Sequence, residues 1–171
     1  MDELHQQTVN LLSFQQLPKA VFDAQVAFNI LARYGEQSSP ALSSISDRVQ
    51  RHYRKIAGAS AAELSLLLLQ APIFHGHALT LFLETDSRID SNALSEALAG
   101  DHVSVPGPEE DAPSNVSSAG QANILASVKS DPSQPNGIWL WAAADNLRIA
   151  ALTAVECAES MTATRPSGKI Q

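Results

Sequence analysis

The sequence predicts an α+β fold built on a mixed or antiparallel sheet. Apolar residues recur every three or four positions near both ends of the chain, which is typical of amphipathic helices. Between these segments lie shorter apolar runs, the clearest over residues 138–144, which are typical of buried strands. A turn cluster at Asp131–Gly137 separates the last two strands and favours antiparallel pairing between them.

The first half of the chain is predicted to hold three helices and one strand. Residues 2–13 and Leu42–Ile56 carry apolar residues at helical spacing, and Gly58 ends the second of these helices. Between them the apolar-rich stretch Val21–Tyr34 suits a helix, although its two phenylalanines leave an extended start open. The continuous run Glu63–Gln70 is predicted as a strand buried on both faces.

The second half is predicted to hold three strands before the closing helix. These strands are His77–Glu84, Asn123–Lys129 and Ile138–Ala144, because each combines β-branched or apolar residues with flanking turn residues. A short helix over Ser91–Leu98 is predicted to have Ser91 as its N-cap.

A long loop and a closing helix complete the predicted organisation. Residues 100–120 are rich in proline, glycine and acidic residues, and a loop of that length is either functional or mobile. Asp145 or Asn146 caps a helix whose apolar stripe runs to Met161. We therefore expect one domain over residues 1–161 and a flexible tail over 162–171.

Composition excludes several function classes. The chain has 171 residues and a formal net charge of −7, which argues against a nucleic-acid partner. Its apolar runs are too short to span a bilayer and its first residues lack a signal-peptide pattern, so a cytoplasmic protein without membrane contact is expected. The single Cys157 excludes an intrachain disulfide. Its place beside the apolar stripe is interpreted as that of a small buried hydrophobe rather than a nucleophile.

His75 and His77 form the most suggestive polar pair. Residues two apart in a strand share a face, so both imidazoles would point toward one ligand. No metal site is predicted, because a third ligand at a telling spacing is missing. A general acid/base role is more credible for a histidine, and the plain alternative is one exposed and one hydrogen-bonded side chain.

Three segments together resemble one family. Residues 21–29 resemble the stretch that opens the C-terminal domain of aspartate-semialdehyde dehydrogenases. Residues 70–77, Gln-Ala-Pro-Ile-Phe-His-Gly-His, resemble that family's R-x-P-V-x-x-G-H strand entry, and residues 139–148 resemble its W-x-x-S-D-N-L-R helix entry. The similarity is closest to a divergent dehydrogenase-related branch that has Gln before Ala-Pro.

The resemblance implies the fold and some site residues. The family's C-terminal domain has a mixed sheet with helices packed on one face, as in glyceraldehyde-phosphate dehydrogenases, and it forms the homodimer. His77 matches the family's acid/base histidine, and Asn146 lies in the motif that meets the cofactor. Gln70 stands where the family has its substrate-binding Arg, and Arg48 lies near its phosphate-binding Lys.

The resemblance also implies what this chain lacks. The family's NADP-binding domain and its nucleophilic Cys precede the domain that these residues match, so no cofactor is expected in this chain itself. Gln70 cannot make a charge-assisted fork with a carboxylate. Ile45 and Ile149–Leu152 also depart from the family pattern.

We therefore expect the dimerisation and substrate domain of an aspartate-semialdehyde-dehydrogenase-like protein. In the full-length family this domain serves the NADP-dependent reduction of an acyl phosphate in amino-acid biosynthesis, and the isolated chain is expected to be inactive. Two alternatives stay open. One is a pseudoenzyme or binding module that keeps the scaffold for homodimerisation. The other is one half of a split dehydrogenase, whose dinucleotide-binding domain lies upstream or arrives in trans.

Overall fold

The computed structural model describes residues 2–163, which divide into two compact units. Unit 1 extends to Phe74 and unit 2 begins at His75. Unit 1 holds two helices, α1 (Asp2–Leu12) and α2 (Leu42–Ala57). Unit 2 holds four strands and two helices in the order β1 (His77–Glu84), α3 (Ser91–Leu98), β2 (Val103–Ser104), β3 (Ile124–Ser130), β4 (Gly137–Ala144) and α4 (Asn146–Ala163).

Unit 1 is organised by a buried glutamine on α1. The Gln7 side chain is fully buried, and its amide makes four hydrogen bonds to the chain that follows the helix. Its Nε2 donates to the carbonyl oxygens of Pro18 (2.7 Å) and Ala24 (2.9 Å). Its Oε1 accepts from the backbone N–H groups of Val26 (2.7 Å) and Ala27 (3.2 Å). One amide thus satisfies four backbone groups that lie away from water.

The helix predicted over Val21–Tyr34 is wrong, and the same side chains explain why. The stretch is a series of turns, and the Gln7 side chain accepts hydrogen bonds from two of its backbone N–H groups, those of Val26 and Ala27. The Glu3 carboxylate accepts hydrogen bonds from two further backbone N–H groups, those of Val21 (2.6 Å) and Phe22 (3.1 Å). A helix over this stretch would need the N–H groups of Val26 and Ala27 for its own bonds, four residues back along the chain, and Gln7 holds both of them instead.

The buried strand predicted over Glu63–Gln70 is also wrong. Leu67 is 74% exposed and Leu69 is 50% exposed. The segment pairs with Leu31 through a single antiparallel bridge at Gln70, with N–O distances of 2.8 and 3.0 Å. Backbone groups of a strand buried on both faces need a ladder of partners, and this segment has one bridge.

The predicted α+β class and the antiparallel pairing are confirmed in unit 2. The sheet has the order β1–β4–β3–β2, with β4 antiparallel to both of its neighbours and β2 parallel to β3. The sequence analysis missed β2, which lies inside the long loop predicted over 100–120. Ser91 is the first helical residue of α3, and Asp90 is its N-cap, because the Asp90 carboxylate accepts from the N–H of Asn92 (3.4 Å).

The two faces of the sheet differ in what covers them. On one face, Ala126, Leu140 and Ala142 form a buried cluster against which Leu98 of α3 and Val103 pack. The other face carries Thr80 and Phe82 of β1 and Trp139 and Trp141 of β4, which we call the open face. Its three aromatic rings are between 37% and 40% exposed.

The closing helix lies largely on the surface. The predicted apolar stripe of α4 is exposed at Leu147 (71%), Val155 (55%) and Met161 (66%). The helix continues two residues into the segment predicted as a tail, and residues 164–171 lie outside the described residues. Within residues 2–163, no helix is both long and apolar enough to cross a membrane.

We predict that Gln7→Ala lowers the free energy of unfolding by at least about 3 kcal/mol. The substitution leaves four backbone groups without their partner, and each unsatisfied buried group costs about 1–3 kcal/mol before any relaxation. Urea unfolding measures the change. Gln15→Ala is the matched control, because Gln15 is an exposed glutamine in the same unit and its loss should change stability by less than about 0.5 kcal/mol. Equal effects of the two substitutions would contradict this account of unit 1.

Candidate functional site

The candidate site of unit 2 lies where β1 begins and β4 ends. His77 is the first residue of β1, and its partner across the ladder is Ala144, the last residue of β4. Asp145 and Asn146 follow immediately and begin α4. The antiparallel register therefore brings the proposed acid/base histidine and the Asp-Asn pair to the same end of the sheet.

Asp145 caps α4 and also holds the long loop. Its Oδ1 accepts from the backbone N–H groups of Leu147 (2.9 Å) and Arg148 (3.0 Å), which resolves the two capping alternatives in favour of Asp145. Its Oδ2 accepts from the N–H of Gly120 (2.8 Å). The bonds from Arg148, Gly120 and Leu147 lower the pKa of the Asp145 carboxyl below its ordinary value, as does the charge of His75, while burial opposes them.

Asn146 holds the segment that enters β1. Its Oδ1 accepts from the backbone N–H of Gly76 at 2.8 Å. Gly76 has a φ of +101°, which glycine adopts readily and other residues rarely do. A Cβ at this position would lie 3.4 Å from both the Ala144 carbonyl oxygen and the Asn115 Cβ. The chain therefore turns sharply and in close quarters just before His77.

This turn corrects the geometry expected of the histidine pair. The prediction placed His75 and His77 on one strand face, but β1 begins at His77 and Gly76 interrupts the extended conformation before it. Both histidines are exposed. In the described part of the chain, no three or more His, Cys, Asp or Glu side chains are grouped so as to hold a metal ion.

Gln70, which replaces the family's substrate-binding Arg, lies in unit 1. Its Oε1 accepts from the Tyr34 hydroxyl at 2.6 Å, and its Nε2 donates to the Ala71 carbonyl oxygen at 2.7 Å. Burial raises the pKa of the Tyr34 hydroxyl, so Tyr34 remains a hydrogen-bond donor at neutral pH. Both ends of the Gln70 amide are engaged within its own unit.

Arg48 and Cys157 occupy exposed helical positions. Arg48 lies on α2, and an open cleft of about 650 Å³ near the end of that helix is lined by Tyr53, Arg54 and Glu63, among others. The interpretation of Cys157 as a buried hydrophobe is wrong, because its side chain is exposed on α4. A stripe of apolar residues shows which side of a helix is apolar, but it does not show whether other residues of the same chain bury that side.

The open face lies on the side of the sheet that the expected fold, with helices packed on one face, leaves without a helix. The indole Nε1 of Trp139 donates to the Asp131 carboxylate at 2.6 Å, and that of Trp141 donates to the Pro113 carbonyl oxygen at 2.7 Å. The Phe82 and Trp139 ring centroids are 4.7 Å apart. The signal was present in the sequence, since two tryptophans two residues apart in a strand share a face.

The chain is an α+β domain whose mixed sheet carries partly exposed aromatic side chains on one face. The family described as "Semialdehyde dehydrogenase, dimerisation domain" matches residues 1–149. The chain belongs to this family and is a dimerisation domain of the aspartate-semialdehyde-dehydrogenase-like proteins, as the resemblance implied.

Individual relatives agree with this assignment. The chain is 30% identical over 171 residues to the aspartate-semialdehyde dehydrogenase of Rickettsia bellii, covering 96% of this chain and 50% of that protein. It is 32% identical over 156 residues to the USG-1 protein homolog of Pseudomonas aeruginosa, covering 90% of this chain and 46% of that protein. The chain thus spans about half the length of the relatives it matches.

Solved structures show the same domain. A probable aspartate-semialdehyde dehydrogenase from Pseudomonas aeruginosa superposes with a TM-score of 0.83 at 32% identity, covering 94% of this chain and 49% of that one. Aspartate semialdehyde dehydrogenase II from Vibrio cholerae, solved in complex with ASA, also gives a TM-score of 0.83 at 28% identity, with 96% and 50% coverage.

We predict that Asp145→Asn destabilises the chain at neutral pH and has a smaller effect in acid. Asp145 has a lowered pKa in the folded state, so its carboxylate stabilises the fold above the unfolded value of about 3.9, and this contribution is lost as the pH falls through the folded value. Chemical denaturation of both proteins at pH 7 and pH 3 measures it. A difference in unfolding free energy that is the same at both pH values would contradict the assigned role.

Proposed function

We propose that this dimerisation domain binds a second copy of itself through the open face, and forms a homodimer. The observation that carries the proposal is the set of three aromatic rings, each 37–40% exposed on one side of the sheet. Solvent-exposed aromatic clusters of this kind mark interaction surfaces, and aromatic residues dominate the binding energy of interfaces. A two-fold dimer would bury the same face of both copies.

We propose that this domain supplies the acid/base histidine of an NADP-dependent semialdehyde dehydrogenase, as part of a protein of the family's full length or together with a separate dinucleotide-binding domain. His77 is exposed at the end of the sheet, where a reacting group could reach it. The relatives named aspartate-semialdehyde dehydrogenase support this reaction class and a role in amino-acid biosynthesis, and the Vibrio cholerae relative was solved with ASA. A cytoplasmic location fits the single cysteine.

Arg48 and Asn146 are proposed to contact the anionic group and the cofactor, respectively. Arg48 is exposed on α2, where a cation can meet an anionic group such as phosphate. Asn146 stands at the start of α4, and its amide is a candidate contact for the cofactor. The chain itself supplies no nucleophile that matches the family's motif, so we propose that residues 1–171 alone do not catalyse the reaction.

A pseudoenzyme that keeps the scaffold for homodimerisation is the second candidate, and the contacts of Gln70 favour it. Its amide accepts from Tyr34 and donates to Ala71, so both of its polar ends are used inside unit 1. A neutral amide held in this way replaces the charged fork that a substrate carboxylate would need. In this second candidate, Gln70 has a structural role inside unit 1 and does not bind a substrate.

Mixing experiments separate a split dehydrogenase from a pseudoenzyme. We expect no NADP-dependent oxidation of aspartate semialdehyde by the chain alone. Addition of a dinucleotide-binding domain from a full-length relative should give turnover if the catalytic half is intact, and His77→Ala should abolish that turnover. Absence of turnover with a domain that does complement the relative's own C-terminal half would favour the pseudoenzyme. Turnover by the chain alone would contradict both.

We predict that Thr80→Arg raises the dissociation constant of the homodimer at least tenfold. Thr80 is exposed on the open face beside Trp141, so the substitution leaves the covered core intact. An arginine there adds a bulky charge without a partner between the two copies, which costs several kcal/mol, and tenfold corresponds to about 1.4 kcal/mol. Light scattering across micromolar concentrations measures the change in mass.

The control is Ala97→Arg, which places the same side chain on the exposed side of α3, over the opposite face of the sheet. It should leave the dissociation constant unchanged. If the unmodified chain scatters as a monomer at every concentration, or if both variants weaken association equally, the open face is not the self-association surface.

A further inference from the structure

We propose that Asn146 is a positioning residue for His77, through its hydrogen bond to the Gly76 N–H. This inference rests on the proposed function in one respect, since it takes His77 as the group that must be held in place. It assigns Asn146 a second task beside the cofactor contact proposed above. The bond joins residues 70 positions apart at 2.8 Å.

His77 has little else to hold it. The strand β1 is at the edge of the sheet and pairs with β4 on one side. His77 is the first residue of this edge strand, and its side chain is exposed, so packing contributes little to fixing the ring. Strand ends of this kind open locally at low free-energy cost. The direction of the His77 side chain therefore depends on where the backbone immediately before it is held.

Asn146 supplies the missing constraint from the other side of Gly76. The ladder fixes His77 against Ala144, and the Asn146 bond fixes the preceding residue against the start of α4. Asn146 is itself held, because Asp145 caps the helix in which Asn146 is the first residue. Two anchors on adjacent residues restrict the backbone at His77 from both sides, whereas the ladder alone restricts it only from the strand side. Functional side chains need such support to stay within about 0.5 Å of a working geometry.

Gly76 adopts the positive φ at which its N–H donates to Asn146. Its φ of +101° directs the chain into the strand, and a Cβ at this position would lie 3.4 Å from the Ala144 carbonyl oxygen and from the Asn115 Cβ. Without the Asn146 bond, the same conformational freedom of glycine would favour many directions for the entering chain.

The test uses the full chain labelled with ¹⁵N and compares three variants by NMR. In Asn146→Ala, the Gly76 amide should exchange with solvent at least tenfold faster. The order parameter of the His77 N–H should fall from the rigid value of about 0.85 to below about 0.6. Asn146→Asp keeps an acceptor oxygen at the same position and should restore both values. Asn123→Ala is the matched control, because it removes an asparagine bond to Ser104 in the same unit, and it should change neither value.

These measurements test the positioning role of Asn146 independently of self-association. Unchanged values in Asn146→Ala, or equal changes in Asn123→Ala, would overturn the positioning role while leaving the dimer untouched. Should Asn146→Ala fail to fold, the unmodified chain still decides, because the Gly76 amide must be protected at least tenfold relative to an unstructured peptide. Failure of the dimer by light scattering would not alter any of these measurements.

Discussion

The pairing of β4 on both of its sides is the constraint on which unit 2 depends. The strand β4 pairs with β1 over His77–Glu84 and with β3 over Leu125–Ser130. The strands β1 and β3 are therefore held in one sheet through their hydrogen bonds to β4. Its buried residues Ile138, Leu140 and Ala142–Ala144 supply most of the buried apolar side chains of the unit. At its start, Gly137 leaves room for the Phe82 ring, which would lie 2.8 Å from a Cβ. At its end, the chain passes directly into Asp145 and Asn146.

The same strand explains why the two faces of the sheet differ in composition. Because side chains alternate along a strand, β4 presents Leu140 and Ala142 to the core and Trp139 and Trp141 to the opposite side. The first set makes the fold, and the second set makes the open face. The Asp-Asn pair that follows belongs to neither face, and its side chains hold Gly120 and Gly76 instead. The open face and the candidate site are thus formed by consecutive parts of one segment.

Much of this fold could be predicted because its elements have clear local patterns. The periodicity of α2 and the turn cluster before β4 are strong signals, and both elements lie where they were expected. The stretch Val21–Tyr34 was not predictable in this way, since its conformation depends on Glu3 and Gln7, two polar residues of another element. Apolar content suggested burial of Glu63–Gln70, but content alone does not show whether backbone partners exist.

The candidate site likewise has parts that the sequence predicts and parts that only the structure shows. The family motif identified His77 and Asn146, yet gave them separate roles. Their connection through Gly76 spans 70 residues and leaves no periodic trace in the sequence. Gln70 was identified as a departure from the family, and its bonds to Tyr34 and Ala71 give that departure a physical meaning. Local patterns predict elements, whereas the long-range hydrogen bonds that join them require the structure.

The central claim is that the open face is covered by a second copy, and radical footprinting tests it most directly. Trp139 and Trp141 are the two tryptophans of the chain, and both lie on the open face. Hydroxyl-radical oxidation, quantified by mass spectrometry at nanomolar and high micromolar concentrations, should therefore label both strongly in dilute solution and weakly in concentrated solution. Phe14, which is 99% exposed in unit 1, serves as the internal reference. If the concentrated protein has twice the monomer mass while both tryptophans stay as reactive as in dilute solution, the open face is not the dimer interface.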